Sequence, residues 1–119
     1  MSTQLAEMDH NISFEKANQM IRSFQETKNE LQNHLDGKIV LPYSETFNRQ
    51  AFEQLLNQPD CAGIRMYLSM DELLQLRAVF VAVNKEESDI LPTEHSKGVI
   101  IEAGKTCPPY CVEASPLNT

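Results

Sequence analysis

The chain has 119 residues, an apolar fraction of 41% and a formal net charge of −7, which are the values of one ordinary globular domain with a hydrophobic core. The excess of 17 acidic over 10 basic residues excludes the usual binders of nucleic acid and of anionic membranes, since both need clustered lysine and arginine. The amino terminus lacks the basic and apolar regions of a signal peptide. We therefore expect a cytoplasmic protein with reduced thiols, and three cysteines, an odd number, do not indicate a secreted disulfide framework.

Residues 1–11 are polar and aperiodic, which predicts a flexible leader. Ser13 is placed to cap a first helix, and apolar residues then recur in steps of three and four, at Phe14, Ala17, Ile21, Phe24, Leu31 and Leu35. Lys28 interrupts this stripe, and Gly37 is suited to end the helix. The stripe has two interpretations that the sequence leaves open: an intrachain core face, or the seam of a homodimer in which a lysine sets the register.

A second helix is predicted to begin at Asn48 and to stop before Pro59, because the residue before a proline avoids helical geometry. Phe47 and Phe52 stand at the positions of a hydrophobic staple. We expect an inner helix face formed by Phe52, Leu55 and Leu56.

The clearest strand signal runs from Ile64 to Met70, where Ile64, Met66, Leu68 and Met70 alternate with Arg65, Tyr67 and Ser69. A turn at residues 71–73 and a second strand up to Val83 predict an antiparallel hairpin that pairs Met70 near Leu74. The second strand is apolar on both faces over its later half, which is typical of a strand covered on both sides. Val99, Ile100 and Ile101 predict a third strand.

These elements predict an α+β fold, with two N-terminal helices followed by a small, mostly antiparallel sheet of about three strands. We assign residues 12–102 to a single domain and residues 103–119, which contain three prolines, to a tail.

The tail carries the segment Cys107-Pro108-Pro109-Tyr110-Cys111, in which two prolines hold two thiols on a short stiff loop. Three residues between cysteines fit zinc-ligand spacing, with Cys61 as a third ligand and His95 or His34 as a fourth. No second close pair of ligands is present, so such a site would be assembled from scattered residues. A thiol-redox role and a plain docking surface are the other two interpretations of this segment.

Arg65, Tyr67 and Arg77 are expected to share one face of the hairpin, where they form a candidate anion site or an ordinary wet surface. No glycine-rich phosphate loop and no Ser-His-Asp motif is recognisable. The sequence therefore favours a protein without enzymatic activity and contains no residues that we assign to catalysis.

One resemblance rests on the run from Leu55 to Tyr67, on Val81-Ala82-Val83, on Asp89-Ile90-Leu91 and on the Cys107 to Cys111 segment. In order and spacing these motifs resemble a group of small uncharacterised bacterial proteins, over residues 47–111. That group often has glycine where Asp60 and Ala82 stand, and many of its members end just after the second cysteine. The resemblance implies that the cysteine tail belongs to the domain, and it implies no particular activity.

The leading hypothesis is a non-enzymatic interaction or regulatory protein that forms a homodimer and binds an unidentified protein partner. The alternative is a thiol-dependent or metal-binding protein that uses Cys107, Cys111 and Cys61, with zinc as the candidate cofactor. A third class, a small-molecule-binding domain, requires a concave pocket beside Arg65 and Arg77.

Overall fold

The computed structural model describes residues 4–35, 38–92, 98–111 and 117. Within these residues the fold is α+β, as the sequence predicts. The elements in chain order are a 3-10 turn (Leu5–Glu7), α1 (Phe14–His34), β1 (Ser44–Thr46), α2 (Arg49–Leu56), β2 (Gly63–Met70), β3 (Leu76–Val83), β4 (Ile100–Ile101) and β5 (Lys105–Cys107). Strand β1 lies between the two helices, so the elements do not follow the predicted order of helices first and strands afterwards. Gly37, His95 and residues 112–116, 118 and 119 lie outside the described part.

Helix α1 begins where its sequence predicts, since the Ser13 hydroxyl accepts a hydrogen bond of 3.0 Å from the backbone N–H of Lys16. Its apolar stripe, however, is covered only in part, since Ala17, Ile21 and Leu35 are half-buried and the other three members are exposed. Phe14 is 52% exposed, Phe24 37% and Leu31 43%, whereas Lys28 is only 7% exposed and lies 4.4 Å from the centre of the Tyr43 ring. No described helix is long and apolar enough to cross a membrane.

Helix α2 is capped by Asn48, whose side-chain oxygen accepts a hydrogen bond of 2.8 Å from the Ala51 N–H. The predicted aromatic staple is present, with the Phe47 and Phe52 ring centres 6.1 Å apart, and both rings lie edge-on to Phe80 at 5.1 Å. Leu55 is fully buried, but Leu56 is 57% exposed, so its assignment to the inner face was wrong.

Strands β2 and β3 form the predicted antiparallel hairpin, but Met70 pairs with Leu76 and not near Leu74. The shift arises because the connection is five residues long and is organised by Asp71, whose carboxylate accepts the N–H groups of Leu73 at 2.9 Å and Gln75 at 3.0 Å. Strand β4 adds to the other edge of β3, where Phe80 faces Ile101, and completes a three-stranded sheet.

A second, two-stranded sheet pairs β1 with β5, so that Glu45 lies opposite Thr106. This pairing brings residues 105–107, which the sequence analysis placed in the tail, into the folded unit. Thr106 is 4% exposed, which shows how closely the unit encloses this strand. Deletion of residues 103–119 would therefore remove a strand and not only a tail.

The hydrophobic core lies where α2 covers the sheet. Leu55 and Ala82 are fully buried, and Val81 and Val83 are each 3% exposed. The later half of β3 is thus covered on both faces, as its sequence predicts. The alternation along β2 predicts one buried and one wet face, and for the apolar residues from Met66 onward this was wrong: Met66 is 53%, Leu68 69% and Met70 46% exposed. The reason is that α2 covers only the end of the sheet at which Phe80 and Ala82 lie.

Candidate functional site

The cysteine segment forms a closed loop at the end of β5. Cys107 and Cys111 form a disulfide with their Cα atoms 4.7 Å apart. Three hydrogen bonds hold the loop: the Tyr43 backbone N–H donates to the Cys107 carbonyl at 2.6 Å, the Tyr110 backbone N–H to the Thr106 carbonyl at 2.9 Å, and the Gln75 side-chain amide to the Pro108 carbonyl at 3.2 Å. The stiff loop predicted from the two prolines is therefore tied to both sheets, and Cys111 is on the surface.

The third predicted metal ligand, Cys61, lies elsewhere. It is a free, half-buried thiol 3.4 Å from the carbonyl oxygen of Gly63, at the start of β2. Gly63 pairs with Val83, whereas the disulfide loop contacts Gln75 at the other end of β3, which is roughly 25 Å away at strand spacing. The structure therefore does not bring the three cysteines together.

The described residues also contain no group of three or more His, Cys, Asp or Glu side chains placed to hold a metal ion. His34 ends α1, and His95 is outside the described residues. Because the sulfurs of Cys107 and Cys111 are joined, zinc binding at this loop remains a prediction that concerns the reduced protein.

Arg65 lies on the predicted face of β2 with Tyr67 and is paired with a carboxylate. Its guanidinium contacts Asp89 at 2.6 Å and the Glu87 carbonyl oxygen at 2.8 Å, and the Tyr67 hydroxyl donates to the same Asp89 carboxylate. An external anion at Arg65 would have to compete with Asp89. In the sequence analysis Asp89 appears only within the Asp89-Ile90-Leu91 motif, since nothing local shows that this segment folds back over β2.

Arg77 lies on the same sheet face but four residues further along, because it pairs with Ser69, whereas Arg65 pairs with Val81. The two guanidinium groups therefore belong to separate clusters. Arg77 contacts Glu45 at 3.0 Å and Asp71 at 3.3 Å, and donates to the Gly104 carbonyl oxygen at 2.7 Å. Its side chain is only 15% exposed and that of Glu45 10%.

In the cluster of Arg77, Glu45 and Asp71, ion pairs and hydrogen bonds shift the pKa values of Arg77 and Asp71. Burial alone would lower the pKa of Arg77, but its contacts with the carboxylates of Glu45 and Asp71 raise it overall. The pKa of Asp71 is lowered, first by the hydrogen bond from the Gln75 N–H and also by those from Leu73 and Arg77. Glu45 also accepts a hydrogen bond of 2.9 Å from the Ala78 N–H, so the cluster joins β1 to the part of β3 that the short strand β4 does not reach. Its geometry is that of a structural tie between β1, β3 and β5.

The described part of the surface also exposes apolar side chains. One flank of α1 exposes Met20 (57%), Phe24 (37%) and Leu31 (43%), and we name these three residues the α1 edge. At 100° per residue they lie within about 40° of one another around the helix. The half-buried residues of α1 lie to one side of this edge, about 20° to 120° around the helix from Phe24, and are Ala17, Asn18, Ile21, Gln25 and Gln32 with buried Lys28.

A second apolar surface lies on the three-stranded sheet. It consists of Met66, Leu68 and Met70, and we name it the sheet patch. Ala78 stands opposite Leu68, and its small side chain leaves Leu68 69% exposed. The face carries no charge along this stretch, since the partners of the patch on β3 are Phe80, Ala78 and Leu76.

The whole molecule exposes more surface than its size requires. Its accessible surface is 9237 Å², whereas a compact monomer of 119 residues exposes about 6,500 Å². Its radius of gyration is 16.6 Å, against about 13 to 14 Å for a compact domain of this length. Comparison of the chain with known protein families, with curated proteins and with solved structures gives no match.

Proposed function

We propose that the chain is a non-enzymatic interaction protein, acting in the bacterial cytoplasm, that works as a homodimer. The observation that carries this proposal is the surface excess of about 2,700 Å² over a compact monomer. Two chains together therefore have an excess of about 5,400 Å², and the interfaces of permanent homodimers bury about 2,000 to 5,000 Å² or more over both partners, which is of the same order. Large contiguous apolar surfaces on a soluble chain are typical of binding sites, and both the α1 edge and the sheet patch are of this kind.

Sedimentation equilibrium with a charged variant of the α1 edge tests this proposal. Phe24→Glu places a carboxylate in the middle of the edge, and we expect it to raise the dimer dissociation constant by at least about tenfold, because a charge buried in an apolar interface lacks a partner. Asn29→Glu is the matched control: it adds the same charge to an exposed position of the same helix, roughly 140° away from Phe24. A monomeric wild-type protein at all concentrations would contradict the proposal.

The second candidate function is thiol-dependent, and the Cys107–Cys111 disulfide favours it. In a reducing compartment, disulfides are usually transient and belong to catalytic or sensing thiols. Cys111 is on the surface, where a small disulfide can reach it. Exchange with oxidised glutathione would join the two sulfurs and release two molecules of reduced glutathione, so that the two electrons and two protons lost by the dithiol are accounted for.

This second function is tested by alkylation and mass measurement across glutathione buffers, in a Cys61→Ser background that leaves only the pair. A redox role predicts that half of the Cys107–Cys111 pair is oxidised at a glutathione ratio inside the range of these buffers. A pair that stays oxidised in the most reducing buffer would exclude this role.

The metal alternative is tested by native mass spectrometry of the reduced protein with equimolar zinc. A gain of one zinc per chain that Cys107→Ser abolishes would support it, and an unchanged mass would count against it.

A further inference from the structure

We propose that α1 of each copy packs across the sheet patch of the other copy in a two-fold dimer. This inference rests on the proposed homodimer and specifies its interface. The chain presents two separate apolar surfaces, the α1 edge and the sheet patch. Neither covers the other within one chain, because α2 is the helix that packs on the three-stranded sheet.

The two surfaces match in length. The α1 edge runs from Met20 to Leu31, which is about 16 Å at 1.5 Å per helical residue. The sheet patch runs from Met66 to Met70, which is about 13 Å at strand spacing. A single helix laid over the patch therefore covers most of both surfaces at once.

The charges around the two surfaces also permit this contact, although each chain carries −7. The acidic residues Glu26 and Glu30 lie about 160° and 120° around the helix from Phe24, so they face away from the edge. The patch and its partners on β3 are uncharged. Contact between the α1 edge and the sheet patch therefore brings no like charges together at its centre.

A reciprocal arrangement uses both surfaces, which a simple helix seam does not. A seam of α1 against α1 would leave Met66, Leu68 and Met70 in water. In a two-fold interface, each contact from the α1 edge to the patch occurs twice, so one symmetric dimer covers both edges and both patches.

Disulfide trapping in the full-length chain distinguishes these arrangements. The Phe24→Cys and Leu68→Cys variants are made separately in the Cys61→Ser background, mixed, and oxidised mildly. Because a disulfide forms only between Cα atoms within about 7 Å, we expect the mixture to give a heterodimer, whereas each variant alone gives about tenfold less cross-linked product. Asn29→Cys replaces Phe24→Cys as the control and should not cross-link to Leu68→Cys.

Efficient cross-linking of Phe24→Cys alone would show the helix seam and overturn the reciprocal contact while leaving the homodimer intact. A wild-type monomer in the sedimentation experiment would overturn both. Leu68→Glu gives an independent readout without cross-linking: the reciprocal contact predicts at least about a tenfold higher dissociation constant, whereas a helix seam predicts no change. Leu91→Glu, at a site 47% exposed and outside both surfaces, is the matched control.

Discussion

Arg77 is the residue that joins segments which the sequence leaves separate. Its guanidinium contacts Glu45 in β1, Asp71 in the hairpin loop and the carbonyl of Gly104 just before β5. Since the Arg77 and Glu45 side chains are 15% and 10% exposed, the loss of one leaves the other charge poorly solvated.

We therefore expect Arg77→Ala and Glu45→Ala each to lower the free energy of unfolding by about 2 to 4 kcal/mol. The double variant should show a coupling of about 1 to 3 kcal/mol, because the two changes remove one shared contact. Urea unfolding of the four proteins measures this cycle. Arg65→Ala is the control: its side chain is 36% exposed, so the loss of its ion pair with Asp89 should lower the free energy of unfolding much less than the loss of the Arg77 contacts. Equal losses for Arg65 and Arg77 would contradict the assignment of Arg77 as the structural tie.

Asp71 makes stability depend on pH in a defined direction. Its pKa is lowered in the folded protein from 3.8, first by the Gln75 N–H and also by Leu73 and Arg77. A carboxyl with a depressed folded pKa contributes its stability above the unfolded value, and this contribution is lost as the pH falls through the folded value. Asp71→Asn should therefore be less stable than wild type at pH 7, with a difference that shrinks below about pH 3.8.

Urea unfolding at pH 7 and at progressively lower pH measures this difference. Glu72→Gln removes a negative charge from the same exposed loop and serves as the control for net charge. A deficit of Asp71→Asn that stays constant down to the lowest pH would show that the carboxylate charge is not the cause.

At the scale of elements, α2 shows how finely a helix separates core from surface. Leu55 and Leu56 are adjacent leucines, but a rotation of 100° per residue places only the first against the sheet. Leu55 is 0% exposed and Leu56 57%. We expect Leu55→Ala to lower the free energy of unfolding by about 2 to 5 kcal/mol, through lost burial and a new cavity.

Leu56→Ala is the control for the same chemical change in the same helix. It should alter stability by under about 0.5 kcal/mol, as exposed substitutions usually do. Chemical unfolding monitored by circular dichroism compares the two variants, and similar losses at both positions would show that Leu56 is covered in solution.

The elements that the sequence predicts well are those whose signal is local. The Ser13 and Asn48 caps, the first helix and the β2–β3 hairpin all follow from residues within a few positions of one another. The pairing of β1 with β5 joins residues about 60 positions apart, and three-residue strands carry too short a period to be recognised. The same limit applies to the carboxylate partners of Arg65 and Arg77, which come from distant segments.

Periodicity also predicts which residues share a face but not whether that face is covered. The stripe of α1 and the apolar face of β2 were both recognisable, and three residues of each are exposed in the single chain. Coverage depends on the length of the element that packs opposite, and α2 has only 8 residues. At roughly 12 Å, α2 is too short to cover the full length of β2 and β3, which have eight residues each.

At the scale of the whole molecule, the exposed surface makes stability a matter of concentration. If the α1 edge and the sheet patch are buried only in the dimer, unfolding and dissociation are linked, and the melting temperature rises with protein concentration. An unfolding enthalpy of about 0.7 kcal/mol per residue gives about 170 kcal/mol for the two chains of a dimer. With this enthalpy the melting temperature should rise by about 3 °C for each tenfold increase in protein concentration.

Calorimetry across a hundredfold concentration range should therefore resolve a shift of about 6 °C in the wild type. Phe24→Glu should lose this shift, because the dissociated chain unfolds as a monomer with a melting temperature independent of concentration, whereas Asn29→Glu should keep it. A wild-type melting temperature that is constant over the range, in a protein that sediments as a dimer, would mean that each chain folds independently and that the interface adds little to its stability. The large exposed surface would then be a stable property of the monomer, and its apolar residues would be free to bind a different partner.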